Sequence, residues 1–191
     1  EEIKIMSSLL DKYNYIAMDT EFPGFVYQSS TTGKDSYYRT IKTNVDKLKL
    51  IQVGITIRDA QGNHPPFCGT WQFNLKFNIN TDQYSNESIA LLTNSGINFD
   101  YLEQMGIPFE LFGEYLISSG LIANEDLHWV SFHGTYDFAY FLKYSTNLLL
   151  PENEIEFFEE LEIYFPNYYD IRHLVRFNDE FRGSLSKLGQ E

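Results

Sequence analysis

A chain of 191 residues with 43% hydrophobic and 17% aromatic residues can build the core of one domain, and this composition excludes a disordered chain. The net charge of −13 argues against a protein that coats nucleic acid with a basic face and slightly favours one that does not bind nucleic acid, but it does not exclude an enzyme that holds divalent cations on carboxylates. The single cysteine, Cys68, excludes an internal disulfide and is expected to be inert, and no apolar run approaches the ~18 residues of a membrane span.

The first half of the chain predicts three strands. Residues 13–18 are apolar and lead into two acids, and residues 48–57 form the β-branched run that is typical of a strand buried on both faces. Residues 69–78 alternate, which places one set of side chains on a single, core-facing side of the strand: Trp71, Phe73, Leu75 and Phe77. The polar stretch over residues 28–36 predicts an exposed loop.

Helical patterns then dominate. Asn86 can cap a helix over residues 87–94, which Gly96 would end. Further helices are predicted over residues 99–105, 108–119, 136–144, 152–165 and 172–177, and strands over residues 127–132 and 168–171. This order predicts an α/β fold in which helices flank a mixed β-sheet.

Asp19 and Glu21 are the first candidates for chemistry. They are two residues apart at a strand end, so their carboxylates are expected on the same face, where they repel each other. A divalent cation between them would remove that penalty, and oxygen ligands favour Mg²⁺ or Mn²⁺ over zinc. For a bare D-x-E pattern, a pair that caps a turn or faces solvent is the commoner alternative.

Asp137 is the third candidate acid. It lies in the run SFHGTYDF, after a predicted strand and in the first turn of a predicted helix. An acid in this position can also simply cap the helix and gain from its dipole. Together with Asp19 and Glu21, however, it would give three acids at strand ends or helix starts, as in a two-metal phosphoryl-transfer centre.

Five segments carry a resemblance to a known family. They are AMDTEFPG, NVDKLKLIQVGIT, TWQFNLKFN, ESIALLTNSGI and WVSFHGTYDFAYFLK. In this order and spacing, over residues 15–188, they resemble the CAF-one (Pop-two) deadenylases, which are catalytic subunits of the CCR-NOT complex in the DEDD exonuclease superfamily. The resemblance implies one DEDD-type exonuclease domain over residues 1–191 with a ribonuclease-H-like α/β fold, a mixed β-sheet flanked by α-helices.

The resemblance also implies a function. It implies removal of poly(A) from the 3′ end, with release of AMP and with two divalent cations, Mg²⁺ or Mn²⁺. Asp19 would bridge the two metals, Glu21 would help to hold the first and Asp137 the second. The implied partners are poly(A) RNA, the NOT-one scaffold, a CCR-type nuclease and Tob/BTG-type regulators, in the cytoplasm and also the nucleus.

The chain departs from the family in one motif. The family has a fourth acid in an H-x4-D motif, whose histidine is the general base, but here neither Asp170 nor Asp179 has a histidine five residues before it. We expect that the C-terminal part is missing from this sequence; the alternative is that this member has lost it. We therefore predict weak or no activity and a poorly held first metal for this chain. Two other functions stay open: a catalytically silent scaffold subunit and a DNA-trimming exonuclease.

Four further residues are candidates for RNA binding. Phe22 can stack on the terminal adenine, an interaction of ~1–3 kcal/mol, or pack in the core. His133 can approach the site, but a hydrogen bond near the strand end is favoured. Arg39 and Lys42 can contact phosphates, although a solvated face is the commoner role. Asp170 is interpreted as a helix cap at the edge of the site.

Overall fold

The computed structural model describes residues 1–28, 36–176 and 183–189, in which a five-stranded sheet has the order β3-β2-β1-β4-β5. The strands are β1 (Tyr15–Glu21), β2 (Gln52–Arg58), β3 (Thr70–Asn74), β4 (His128–Ser131) and β5 (Tyr168–Asp170). The pairs β1–β2 and β2–β3 are antiparallel, whereas β1–β4 and β4–β5 are parallel. This confirms the predicted mixed sheet of an α/β, ribonuclease-H-like fold.

The described part of the chain also contains helices. They are α1 (Glu2–Ser7), α2 (Ser36–Lys47), α3 (Asn86–Asn94), α4 (Phe99–Met105), α5 (Phe109–Ser118), α6 (Thr135–Thr146), α7 (Glu154–Tyr164), α8 (Ile171–Val175) and α9 (Leu185–Leu188). Among these described helices, none has both the length and the apolar character that crossing a membrane would need.

Several predicted boundaries were wrong. β1 covers Tyr15–Glu21 and not residues 13–18, so the acids predicted at the strand end are its last residues, where Asp19 pairs with Gly54 and Glu21 with Gln52. Helices α1, α2 and α9 were not predicted. Helix α2 begins at Ser36, the last residue of the predicted polar loop, and residues 29–35 of that loop lie outside the described residues. The predicted helix over residues 172–177 is α8, which begins one residue earlier, and residue 177 also lies outside the described part.

The two faces of β1 have opposite environments. Ile16, Met18 and Thr20 are buried, whereas Asp19 and Glu21 are exposed on the other face. The sequence predicted that alternate side chains of β3 and of the residues after it face the core. This is confirmed, since all four are buried: Trp71, Phe73, Leu75 and Phe77. The central strand thus rests on a packed core and carries its acids on the open side.

Candidate active site

Asp19 and Glu21 lie on one face of β1, as predicted from their spacing. The pKa of Glu21 is raised above its ordinary value, first because the carboxyl group is partly desolvated and second because the negative charge of Asp19 is near. The two carboxylates are therefore close enough to oppose each other's ionisation. A cation between them would relieve this repulsion.

Asp137 lies in the first turn of α6, also as predicted, and its side chain is buried. The Thr20 hydroxyl group, on the buried face of β1, donates a hydrogen bond of 2.6 Å to Oδ1 of Asp137. Burial raises the pKa of Asp137 to about 6; the hydrogen bond from Thr20 opposes this shift, and the charge of Asp19 adds to it. Asp19 thus acts electrostatically on both other acids, so the structure brings all three into one region.

This region is not a closed metal cage. Across residues 1–28, 36–176 and 183–189, no group of three or more histidine, cysteine, aspartate or glutamate side chains is arranged to hold a metal ion. The role of Asp19, Glu21 and Asp137 as metal ligands therefore stays a prediction. Asp179, one of the two late aspartates, lies outside the described residues.

Asp170 has a larger role than the helix cap that was predicted. It does cap α8, because its Oδ1 accepts a 2.9 Å hydrogen bond from the Arg172 amide. The same carboxylate also accepts the amides of His133, at 2.9 Å, and of Gly134, at 3.3 Å, in the turn between β4 and α6. It therefore fixes the turn that leads into the helix of Asp137. No local sequence pattern could have shown this, because the partners are 36 and 37 residues apart.

His133 makes a side-chain hydrogen bond near the end of β4, as the favoured interpretation predicted. Its Nδ1 lies 2.7 Å from Nη1 of Arg172. A guanidinium group can only donate, so Nδ1 accepts and the imidazole carries its proton on Nε2. His133 also has a φ of 63°, a conformation that the bonds to Asp170 hold in place. Contact of His133 with RNA stays a prediction.

Lys42 and Arg39 on α2 differ in their surroundings. The Lys42 ammonium group contacts Asp46 at 2.8 Å, the carbonyl oxygen of Leu150 at 2.7 Å and Glu152 at 3.3 Å. Because an ammonium has three hydrogens, these contacts leave none for a phosphate, and Lys42 connects α2 to the chain before α7. An RNA phosphate would have to replace one of these acceptors, and contact of Lys42 with RNA stays a prediction. Arg39 is exposed, and its phosphate contact stays a prediction.

An aromatic cluster borders the acids. The ring of Phe22 stacks on that of Tyr136, with centroids 5.3 Å apart and planes inclined by 16°, and lies 5.5 Å from the buried ring of Tyr140. Contacts with these rings therefore cover much of the Phe22 side chain, as the alternative of core packing predicted. Stacking of Phe22 on a base stays a prediction. Phe22 follows Glu21 and Tyr136 precedes Asp137, so the stacked pair lies beside the acid region.

Comparison with known proteins finds a family match. Residues 1–111 match the model of the CAF1 family ribonucleases. The chain is 47% identical to the probable CCR4-associated factor 1 homolog 10 of Arabidopsis thaliana, over 100% of this chain and 72% of the relative. It is 45% identical to the poly(A) ribonuclease pop2 of Schizosaccharomyces pombe, over 92% of this chain and about half (53%) of that protein.

Solved structures agree with this match. The structure of S. pombe Pop2p in its Mg²⁺- and Mn²⁺-bound form superposes with a TM-score of 0.95 at 42% identity, covering 99% of this chain and 76% of that one. The structure of the yeast NOT1 MIF4G domain co-crystallised with CAF1 superposes with a TM-score of 0.85 at 32% identity, covering 99% and 72% of the two chains. Fold and sequence thus indicate the same relatives.

Proposed function

Because the chain belongs to the CAF1 family of ribonucleases, we propose that it is a poly(A)-specific 3′→5′ exoribonuclease that shortens mRNA poly(A) tails and releases AMP. One observation carries the proposal: Asp19 and Glu21 project from one face of β1, and the 2.6 Å hydrogen bond from Thr20, which lies between them in the strand, holds the buried carboxylate of Asp137 against the same strand. The name of the S. pombe relative, a poly(A) ribonuclease, supports the substrate.

Divalent cations fit this donor set. All three side chains offer carboxylate oxygens, the ligands that Mg²⁺ and Mn²⁺ prefer, and the mutual repulsion of the acids favours a cation. We propose that Asp19, Glu21 and Asp137 hold two such ions, and the Mg²⁺ and Mn²⁺ bound to S. pombe Pop2p support this. When bound, such ions supply Lewis acidity and neutralise phosphate charge.

Residues of the chain itself prepare the site for this chemistry. Thr20 orients the Asp137 carboxylate through its hydroxyl group, and Asp170 fixes the turn that begins α6. Both restrict the position of Asp137 relative to β1. Such positioning matters because phosphodiester hydrolysis needs its reacting groups held in a narrow geometry.

The substitution Asp19→Ala tests the proposal. A 5′-labelled oligo(A) is incubated with excess enzyme and Mg²⁺ under single-turnover conditions, so that the measured rate is that of the bound complex and not of product release. The wild-type chain should shorten oligo(A) faster than oligo(U) or oligo(dA). Asp19→Ala should abolish this shortening. Asp11→Ala is the control and should match the wild type, because Asp11 is an exposed acid after α1. Trimming by Asp19→Ala at the wild-type rate would refute the metal assignment, and a preference for oligo(dA) would indicate a DNA exonuclease.

The second candidate function is a catalytically silent scaffold subunit. The co-crystal of yeast CAF1 with the NOT1 MIF4G domain supports NOT1 as a partner in either case. A wild-type chain that binds the NOT1 MIF4G domain but never shortens oligo(A), even with Mn²⁺, would favour the scaffold. Binding to a CCR-type nuclease and to Tob/BTG-type regulators is proposed only from the family resemblance.

A further inference from the structure

We propose that Phe25 is an exposed nucleobase-stacking residue beside the acid region, a role that rests on the proposed action on RNA. Phe25 is 57% exposed, although two other aromatic rings contact it. It contacts Phe22 at 5.6 Å and Tyr136 at 5.0 Å between centroids. Both contacts are edge-to-face, with interplanar angles of 71° and 67°, so neither is a parallel stack.

The backbone before Phe25 has a conformation that requires glycine. Gly24 has a φ of 84°, and a Cβ atom there would lie 2.1 Å from Oγ of Ser88. The Ser85 amide also donates a 2.8 Å hydrogen bond to the Pro23 carbonyl oxygen. The chain entering Phe25 is therefore packed closely against the N-terminus of α3.

The backbone after Phe25 is held by Asn44, a fully buried residue of α2. Its Oδ1 accepts the amides of Val26, at 2.9 Å, and Tyr27, at 3.0 Å, and its Nδ2 donates to the carbonyl oxygens of Tyr27 and Thr40, both at 2.8 Å. Both hydrogens and both lone-pair positions of this amide are therefore used. Phe25 is thus held from both sides, although its own side chain remains open to water.

A fixed and exposed phenyl ring in this position fits a base of single-stranded RNA. Phe25 touches the two rings that neighbour Glu21 and Asp137 in sequence, so it belongs to the same border of the acid region. A strand whose 3′ end reaches those acids carries further bases within reach of this border. An aromatic ring binds any base through its π face, so Phe25 should contribute affinity more than selectivity for adenine.

The test uses oligo(A) with 2-aminopurine at either the terminal or the adjacent position, bound to the whole chain. Stacking on a ring quenches 2-aminopurine fluorescence. Phe25→Ala should weaken oligo(A) binding by roughly 5- to 100-fold and remove part of the quenching at one of the two positions. Phe25→Trp should restore both, whereas Phe25→Leu, which keeps an apolar side chain without a ring, should not. Phe67→Ala is the matched control, because Phe67 is fully exposed in the connection between β2 and β3.

The outcomes separate this inference from the proposed function. If the wild type binds and shortens oligo(A) while Phe25→Ala binds as tightly with unchanged quenching, the role of Phe25 is refuted and the exonuclease stands. Equal rescue by Phe25→Leu and Phe25→Trp also refutes stacking, because it would leave only apolar contact. If the wild-type chain neither binds nor shortens oligo(A), the proposed function itself fails. Equal urea denaturation of all variants verifies that Phe25 acts on the ligand and not on the fold.

Discussion

The Thr20 hydroxyl group donates a 2.6 Å hydrogen bond to Oδ1 of Asp137 and thereby joins the central strand to the first turn of α6. Thr20 lies between Asp19 and Glu21 in sequence but points to the opposite face of β1. The strand therefore presents two acids on its open side and orients the third acid from its buried side. One threonine sets the position of a carboxylate that is 117 residues away.

Replacing Thr20 tests this link. Thr20→Val keeps the shape of the side chain but removes the donor, which should cost ~1–3 kcal/mol because a buried charged acceptor loses its partner. Oligo(A) shortening should fall by about tenfold or more, since Asp137 is then free to change rotamer. Thr20→Ser keeps the hydroxyl group and should stay close to the wild type. Equal activity of the serine and valine variants would show that the hydrogen bond does not position Asp137.

Asp137 makes the stability of the metal-free protein depend on pH. Its folded pKa of about 6 lies above the ordinary value of 3.8, so the folded state binds the proton more tightly than the unfolded state. The unfolding free energy should therefore decrease as pH rises from 3.8 to about 6, by about 3 kcal/mol in total, and the penalty is complete above that window.

Asp137→Asn removes this penalty, because an amide has a similar shape and does not ionise in this range. In urea denaturation with a chelator, the variant should be more stable than the wild type at pH 7.5 by up to about 3 kcal/mol, and the difference should vanish near pH 4. Added Mg²⁺ should stabilise the wild type more than the variant. If the variant is less stable than the wild type at pH 7.5, the interactions of the charged Asp137 carboxylate stabilise the fold by more than its burial destabilises it.

Asp170 should be needed for the activity as well as for stability. Asp170→Ala removes the acceptor for the amides of His133, Gly134 and Arg172 and should cost ~1–2 kcal/mol, because water replaces part of the lost bonding. Oligo(A) shortening should fall because the turn before α6 loosens. Asn153→Ala is the control: it removes the cap of α7, a 2.9 Å bond to the Glu156 amide, so it should destabilise similarly but leave the rate unchanged. Equal rates in the two variants would show that Asp170 serves the fold alone.

The sequence was most informative where a pattern is local. The alternation around Asp19 and Glu21 predicted one shared face, and the strand-to-helix boundary predicted Asp137 in a first turn, as observed. Helix α2 was missed although Tyr38, Ile41 and Val45 follow helical spacing and are buried. The polar stretch over residues 28–36 indicates a loop, and no element is predicted for residues 37–47.

Contacts between distant segments were not predictable in this way. The roles of Asn44 and Asp170 depend on backbone amides that only the folded chain brings near, 17 to 37 residues away. The sequence around Asn44 does not indicate its role, because its side chain binds the amides of Val26 and Tyr27, which follow β1 in the chain. The contacts of Lys42 were unpredictable for the same reason: its acceptors at Leu150 and Glu152 are more than a hundred residues away.

Gly24 should be far less tolerant of substitution than a glycine of the same backbone conformation elsewhere. Gly24 and Gly62 have φ values of 84° and 81°, but a Cβ atom at Gly24 would lie 2.1 Å from Oγ of Ser88, whereas at Gly62 nothing lies within 4 Å. Gly62→Ala should therefore cost only the strain of the left-handed conformation, about 1 kcal/mol. Gly24→Ala should cost this strain plus the displacement of α3, roughly 2 kcal/mol or more, and should weaken oligo(A) binding as the segment carrying Phe25 shifts. Urea denaturation of both variants measures the difference. Equal losses would show that α3 yields easily and that Phe25 is not rigidly held.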